Sequence, residues 1–434
     1  MPQTAAGRAL SAAVAMLMAG IHPASAIDEF ERPPISYSDT TPDNAVSRLQ
    51  ARLDANAIAL AHHERLGYLP AVLEALHVPV SSQTLVFSKT SLQQQRISPK
   101  NPRAIYFNDD AYVGYVRGGD VVEVSVADPR LGTVFYTLDQ QEAERPTFVR
   151  QIDDCLACHA GSQTSGVPGH VVRSVYVDGS GQPIFSAGSH RVDHTTPLIQ
   201  RFGGWYVTGT HGPQQHLGNI TFRRRPDHDG VDDASGLNKM DVAGRFEAEG
   251  YLSPHSDLVA LMVLAHQAFA HTMITKAGFE ARSALHREAA LNRELGEPAD
   301  HRWPSTTTVL DAAAESLVAC CLFHDEPPLT APIGGTSGFA AEFGAQGPRT
   351  PDGRTLRALD LQTRLFRYPC SYLVYSESFA ALPAEVRDRF WRRIDAALAS
   401  QQAAAGGLPE TERTAIRDIL VATHPEARAA WEPR

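Results

Sequence analysis

Residues 104–138 read AIYFNDDAYVGYVRGGDVVEVSVADPRLGTVFYTL, and this stretch decides the fold class. Four runs, Ala104–Phe107, Ala111–Val116, Val121–Val126 and Thr133–Leu138, are rich in β-branched and aromatic residues. They are separated by Asn108-Asp109-Asp110, Gly118-Gly119-Asp120 and Asp128-Pro129-Arg130-Leu131-Gly132. Such runs suit a pleated surface and such separators form turns, so the stretch predicts an antiparallel meander.

Upstream, residues 27–40 lack a period and hold Pro33-Pro34, which reads as an extended lead-in. Thr41-Pro42 is expected to open a helix with Val46, Leu49, Leu53, Ala57 and Leu60 on one face. Pro70 to Leu76 suggests a second, short helix. Downstream, a helix is expected from Phe148 to His159. Strands are expected at His170–Val177 and Gln182–Ala187 around the turn Asp178-Gly179-Ser180-Gly181, with Trp205–Thr208 and Leu217–Phe222 extending that sheet. Beyond Ser253 the period becomes helical. Ser253-Pro254 is expected to cap a helix carrying Leu258, Leu261, Met262, Ala265 and Phe269. Further helices are expected near Phe279–Leu295, Thr307–Phe323, Pro383–Ser400 and Glu410–Thr423, with a surface loop over residues 325–355. The expected class is α+β. Its predicted parts are a leader (1–26), a lead-in with helices (27–80), a β-rich region (81–250) and a mainly helical region (251–434).

Cys155-Leu156-Ala157-Cys158-His159 carries the chemistry. Two thiols three residues apart, followed at once by an imidazole, have the spacing for covalent attachment of one c-type haem. The thiols add to the two vinyl groups of the porphyrin, and the imidazole becomes the proximal iron ligand. A zinc site would need a second ligand pair, and the chain has no other C-x-x-C. A thioredoxin-like pair would not need His159 and usually stands in a βαβ context. The expected haem-binding residues are therefore Cys155, Cys158 and His159.

The N-terminus agrees with this reading. Arg8 precedes an alanine-rich apolar run, Ala9 to Gly20, and Ala24-Ser25-Ala26 fits a small-x-small cleavage site. Together they predict a signal peptide and a mature chain beginning near Ile27. Haem c is attached outside the inner membrane, so the expected location is periplasmic. The formal net charge of −10 argues against broad binding to nucleic acid. No membrane span is expected in the mature chain. Cys320, Cys321 and Cys370 remain, either with Cys370 bonded to one of the other two or with all three buried and reduced.

The second axial ligand of the iron is sought among methionines and histidines. Met240 follows a polar loop, Ser235-Gly236-Leu237-Asn238-Lys239, whereas Met262 and Met273 fall on the helix after Ser253 and read as core. His170, His190, His194, His266 and His271 are further histidines. His211, in the glycine-flanked loop Gly209-Thr210-His211-Gly212 beside Trp205 and Tyr206, is the preferred one. The distal candidates are therefore His211 and Met240. Arg223-Arg224-Arg225 would suit haem propionates.

Over residues 155–159 the chain resembles the c-type cytochromes. Cys155 and Cys158 stand at the thioether positions and His159 at the proximal position, followed by Ala160-Gly161-Ser162. The resemblance implies one covalent haem, electron transfer and an exported location. A small cytochrome c is also expected to be helical with a methionine ligand downstream. Here strand-like sequence surrounds the motif, so the family's distal ligand does not carry over. The expected function is that of an exported haem protein passing electrons to a redox partner protein. The alternatives are a peroxidase-like oxidoreductase acting on a small-molecule substrate, and a haem-based sensor.

Overall fold

The computed structural model describes residues 27–224, 234–399 and 408–431; the expected leader and Arg225 lie outside the described residues. The fold is α+β, built on one seven-stranded antiparallel sheet.

The chain enters through α1 (Ile27–Phe30), α2 (Ala45–Asp54) and α3 (Leu69–Ala75). Asn44, not Thr41, caps α2. Its side-chain oxygen accepts from the N–H groups of Val46 and Ser47, and Ser47 Oγ accepts from the Asn44 N–H at 2.9 Å. That reciprocal pair satisfies donors a helix start leaves open.

The sheet contains β1 (Thr84–Val86), β2 (Arg103–Phe107), β3 (Ala111–Val116), β4 (Val121–Asp128), β5 (Gly132–Asp139) and β6 (Phe148–Gln151). After α4 (Asp154–His159), β7 (Arg173–Val175) and β8 (Ser189–Arg191) form a separate hairpin. β9 (Trp205–Tyr206) returns to the large sheet beside β1, giving the order β6-β5-β4-β3-β2-β1-β9.

Register assigns each side chain to a face, because successive residues alternate. One face presents Ala104, Tyr106, Val113, Tyr115, Val122, Val124, Val134 and Tyr136, all buried with Tyr37, Val46, Leu49, Tyr68, Leu69 and Val72. The N-terminal segment and the meander therefore share one core. On the other face the row Phe107, Tyr112, Ser125, Phe135 runs across β2 to β5. Phe107 and Tyr112 from this row belong to the core built around the long helix that follows. The next row, Ile105, Gly114, Glu123, Thr137 and Val149, is only partly covered, and Val149 is 54% exposed.

The helical half comprises α5 (Leu258–Leu295), α6 (Pro304–Cys321), α7 (Phe339–Ala345), α8 (Glu377–Ala380), α9 (Ala384–Ala399), α10 (Glu410–Thr423) and α11 (Pro425–Trp431). Among them α5 is central. It runs 38 residues without a break, and every residue from Leu258 to Ala268 is buried. By length and composition it could cross a membrane, yet 83% of its most apolar window is buried inside the protein. Asp257, not Ser253, is its cap: Oδ1 accepts from the N–H groups of Val259 and Ala260. Cys320, Cys321 and Cys370 are buried and unbridged.

Several expectations are corrected. Phe148 to His159 is not one helix: residues 148–151 pair with the β5 edge, and the helix starts at Asp154. Gln182–Ala187 is not a strand. Pro183 has no N–H to offer a ladder, so it makes one isolated bridge to Val177, and the chain pairs with β7 only from Ser189. Trp205–Tyr206 joins the large sheet, and Leu217–Phe222 forms no strand. The two helices expected after Ser253 and over Phe279–Leu295 are the single α5. The expected loop over residues 325–355 contains α7.

Gly132 shows how closely the layers meet. Its φ is +71°, and an added Cβ would stand 2.3 Å from Thr275 Cγ2 and 2.9 Å from the Pro168 carbonyl oxygen. Both the left-handed conformation and the contact penalise a side chain. Gly132→Ala is expected to lower stability by about 1–3 kcal/mol. In urea titration the midpoint should fall with the slope unchanged; an unmoved midpoint would contradict this account.

Candidate functional site

The Cys155–His159 segment forms most of α4, immediately after the edge strand β6. Leu156 is 3% exposed and pins the helix to the sheet core, so its neighbours are held at the surface. Cys155 and Cys158 are three apart on this helix and therefore share a face. Neither is bridged; Cys155 is half-buried against the core and Cys158 is exposed. Burial, and after it the charges of Glu123 and Asp154, push the Cys155 thiol up to about 11 against the opposing pull of Arg103. At neutral pH it is a thiol, not the thiolate that a dithiol–disulfide centre uses as nucleophile.

His159 is held by two bonds to one residue. Its backbone carbonyl accepts from the Gly169 N–H at 2.8 Å, and its ring Nδ1 lies 2.9 Å from the Gly169 carbonyl oxygen. A carbonyl can only accept, so Nδ1 carries the proton and Nε2 keeps a lone pair. Nε2 makes no hydrogen bond among the described residues. Burial lowers the imidazole's pKa, which favours this neutral form. The loop allows the clamp because Gly169 has no side chain: a Cβ there would meet Thr272 Oγ1 at 2.6 Å and Thr164 Cβ at 3.1 Å. The Thr164 hydroxyl also donates to the His159 carbonyl at 3.1 Å.

The Phe135 ring lies 4.9 Å from the His159 ring, centre to centre. Arg103 and Glu123 act electrostatically on both Cys155 and His159. They form an ion pair with each other, and Gln93 donates to Glu123 Oε1 at 3.0 Å. The Arg103 guanidinium lies over Gly114, where a Cβ would collide with it, and its Nε is buried without a partner. Around α4, Val149 and Ile152 are exposed at 54% and 37%. The site thus offers two thiols on one helix face, a bare imidazole nitrogen, an apolar rim and a guanidinium with a spare donor. That donor set suits a flat, largely apolar group with acidic substituents, anchored through both sulfurs. Among the described residues no group of three or more His, Cys, Asp or Glu side chains converges as a metal site.

The other sequence candidates lie elsewhere. His211 is fully buried; its Nε2 accepts from the Asn238 N–H at 2.9 Å, so Nδ1 carries the proton and neither nitrogen offers a lone pair. Its ring neighbour is His216, 4.8 Å away. Met240 is 56% exposed. No hydrogen bond or ring contact joins either to α4 among the described residues. Met262 is a core residue of α5 whose sulfur accepts from Arg201 at 3.1 Å. Arg223 and Arg224 are exposed. Sequence reading missed Phe135, Gly169, Arg103 and Glu123. Gly169 alone left a trace, as the end of the turn-like Gly166-Val167-Pro168-Gly169.

No family model matches the chain, and it has no match among curated proteins or solved structures.

Proposed function

We propose that this chain is an exported, periplasmic c-type cytochrome that carries one covalent haem c and passes single electrons. Cys155 and Cys158 would form the thioether bonds, and His159 Nε2 would bind the iron. The observation that carries the reading is the Nδ1–H of His159 held by the Gly169 carbonyl. A ligating histidine needs its second nitrogen fixed by an acceptor, because that bond sets the tautomer and the ring plane. Bound there, the haem would supply an iron cycling between ferrous and ferric states.

The chain's own residues have separate tasks in this reading. Leu156 seats the helix, Phe135 packs the imidazole, and Gly169 orients it. Arg103 Nε is a buried donor for a propionate. Export rests on the expected leader, with Arg8, the run to Gly20 and Ala24-Ser25-Ala26. The acid excess suits a basic redox partner protein. Of the two sequence candidates for a second iron ligand, His211 is buried with neither ring nitrogen offering a lone pair, whereas Met240 is exposed. A left-open position would instead admit a small-molecule substrate such as peroxide.

His159→Ala tests the ligand assignment separately from attachment. The variant should keep its haem through denaturation, since both sulfurs remain. Its ferric and ferrous absorption bands should shift, and added imidazole should restore them. Bands identical to the parent protein would remove His159 from the iron.

A further inference from the structure

Beside the His159 site lies a buried tyrosine with a fixed proton acceptor. Tyr112 is 6% exposed, on the same sheet face and in the same register row as Phe135. Its hydrogen-bond partners orient it, and the tautomer that leaves fewest buried groups unpaired puts the Tyr112 proton toward His271. Gln267 Nε2 is 2.7 Å from the Asn108 carbonyl oxygen, which can only accept, so this atom is the amide nitrogen. The same nitrogen donates to the Tyr112 oxygen at 2.8 Å, while Gln267 Oε1 accepts from the Tyr372 hydroxyl at 2.5 Å. The Tyr112 proton therefore points at its remaining partner, His271 Nδ1, at 3.0 Å. His271 then carries its own proton on Nε2, which is buried without a partner. Ring contacts lead back to the haem site. Tyr112 is 3.9 Å from His170, His170 is 6.4 Å from Phe135, and Phe135 is 4.9 Å from His159, centre to centre.

We propose that Tyr112 is a redox-active residue that gives one electron to the oxidised haem and its phenolic proton to His271 Nδ1. The proposal rests on the haem reading above, with the iron position left open to peroxide. With a peroxide as oxidant the step balances. The peroxide O–O bond breaks, and two electrons with two solvent protons convert hydrogen peroxide into two water molecules. With haem bound, ferrous iron would supply one electron and become ferric, and Tyr112 would supply the other. The Tyr112 O–H bond breaks as an N–H bond forms on His271, leaving a neutral phenoxyl radical and an imidazolium.

The surroundings favour coupled loss of both particles. Burial raises the Tyr112 phenol well above its usual value, so it does not ionise beforehand. Burial also pushes His271 down to about 4, so the ring is neutral at neutral pH and takes the proton only as the phenol, made strongly acidic by oxidation, loses its electron. The phenol cannot shed its proton to water, because the pair is enclosed between the sheet and α5. A purely structural Tyr112 would need the same bonds to join β3 to α5, but would give no radical.

The test is freeze-quench electron paramagnetic resonance on the exported, haem-loaded protein, reduced to the ferrous state and then mixed with one equivalent of hydrogen peroxide. Haem content is measured first on the denatured chain, so that absence of haem counts against the cytochrome reading, whereas a loaded protein without a radical counts against Tyr112. A tyrosyl signal is expected, lost in Tyr112→Phe and kept in Tyr372→Phe. Deuterium oxide should slow its appearance, and His271→Phe should abolish it while leaving haem content unchanged. A loaded protein with no tyrosyl signal, or a signal that survives Tyr112→Phe, overturns the proposal.

Discussion

Alanine at both Cys155 and Cys158 is expected to leave a folded chain with no covalent haem. The effect should be complete, because each thioether needs its own sulfur and the chain has no other thiol pair at this spacing. The fold should survive. Cys158 is exposed, and Cys155 is only half-buried, so losing its sulfur removes about 1 kcal/mol of apolar contact. Intact mass under denaturing conditions reads the result directly: the parent should carry the mass of one haem and the double variant none. Each single variant should retain one bond and a weakened, still attached haem. If the double variant kept the added mass, neither sulfur would be an attachment point and the site would have to be sought elsewhere.

Asp257→Ala should produce the largest stability loss of any single polar truncation in the helical half. Asp257 is fully buried, and its two oxygens serve different segments. Oδ1 caps α5 through Val259 and Ala260, at 2.8 and 3.0 Å. Oδ2 accepts from the Thr336 and Ser337 N–H groups at 2.7 and 2.8 Å, and from the Ser337 hydroxyl at 2.9 Å. Gly335 sits so close that a Cβ on it would fall 2.3 Å from Oδ2. Losing the cap costs about 1 kcal/mol, and the part-buried Thr336 and Ser337 N–H groups left without Oδ2 add about 1 kcal/mol each, while the Ser337 hydroxyl keeps the Ser81 carbonyl as acceptor. The sum for the variant is therefore about 3 kcal/mol, a large share of the stability of any domain. Chemical denaturation should show it as a lowered midpoint. Asp257→Asn should fall between the two proteins, since it keeps the cap but turns an N–H₂ toward the Thr336 and Ser337 donors. A loss below about 1 kcal/mol for the alanine variant would refute the shared-anchor account.

The meander was the most legible part of the chain. Ala111–Val116 was expected and observed with identical bounds, and the other three strands differ by a residue or two at their ends. The reason is local: short β-rich runs and Gly/Asp/Asn turns specify their own pairing without help from distant chain. Glu410–Thr423 was legible for a similar reason, its buried positions recurring at helical spacing. The helix α5 was not. Its first half is buried on all sides, so it has no polar face to set a period. Thr272, Ile274, Thr275 and Gly278 interrupt the helix-favouring sequence further on, and contact with the sheet and the other helices overrides them. Phe148–Gln151 likewise read as helix because it borders one, while the free β5 edge draws it into the sheet.

The proposal that Cys155, Cys158 and His159 bind haem comes from sequence alone, because covalent attachment chemistry would constrain residues that are neighbours along the chain. Sequence also specified the four-strand meander, where pairing is local. Tertiary structure decided everything that joins distant segments. It brought Gly169 back onto His159 to choose the tautomer, seated β9 beside β1, and set Tyr112 between Gln267 and His271. Those contacts span ten to more than a hundred and fifty residues, and no local propensity encodes them. They exist because buried polar groups must find partners, and those partners are supplied by whichever segments the closing core brings alongside.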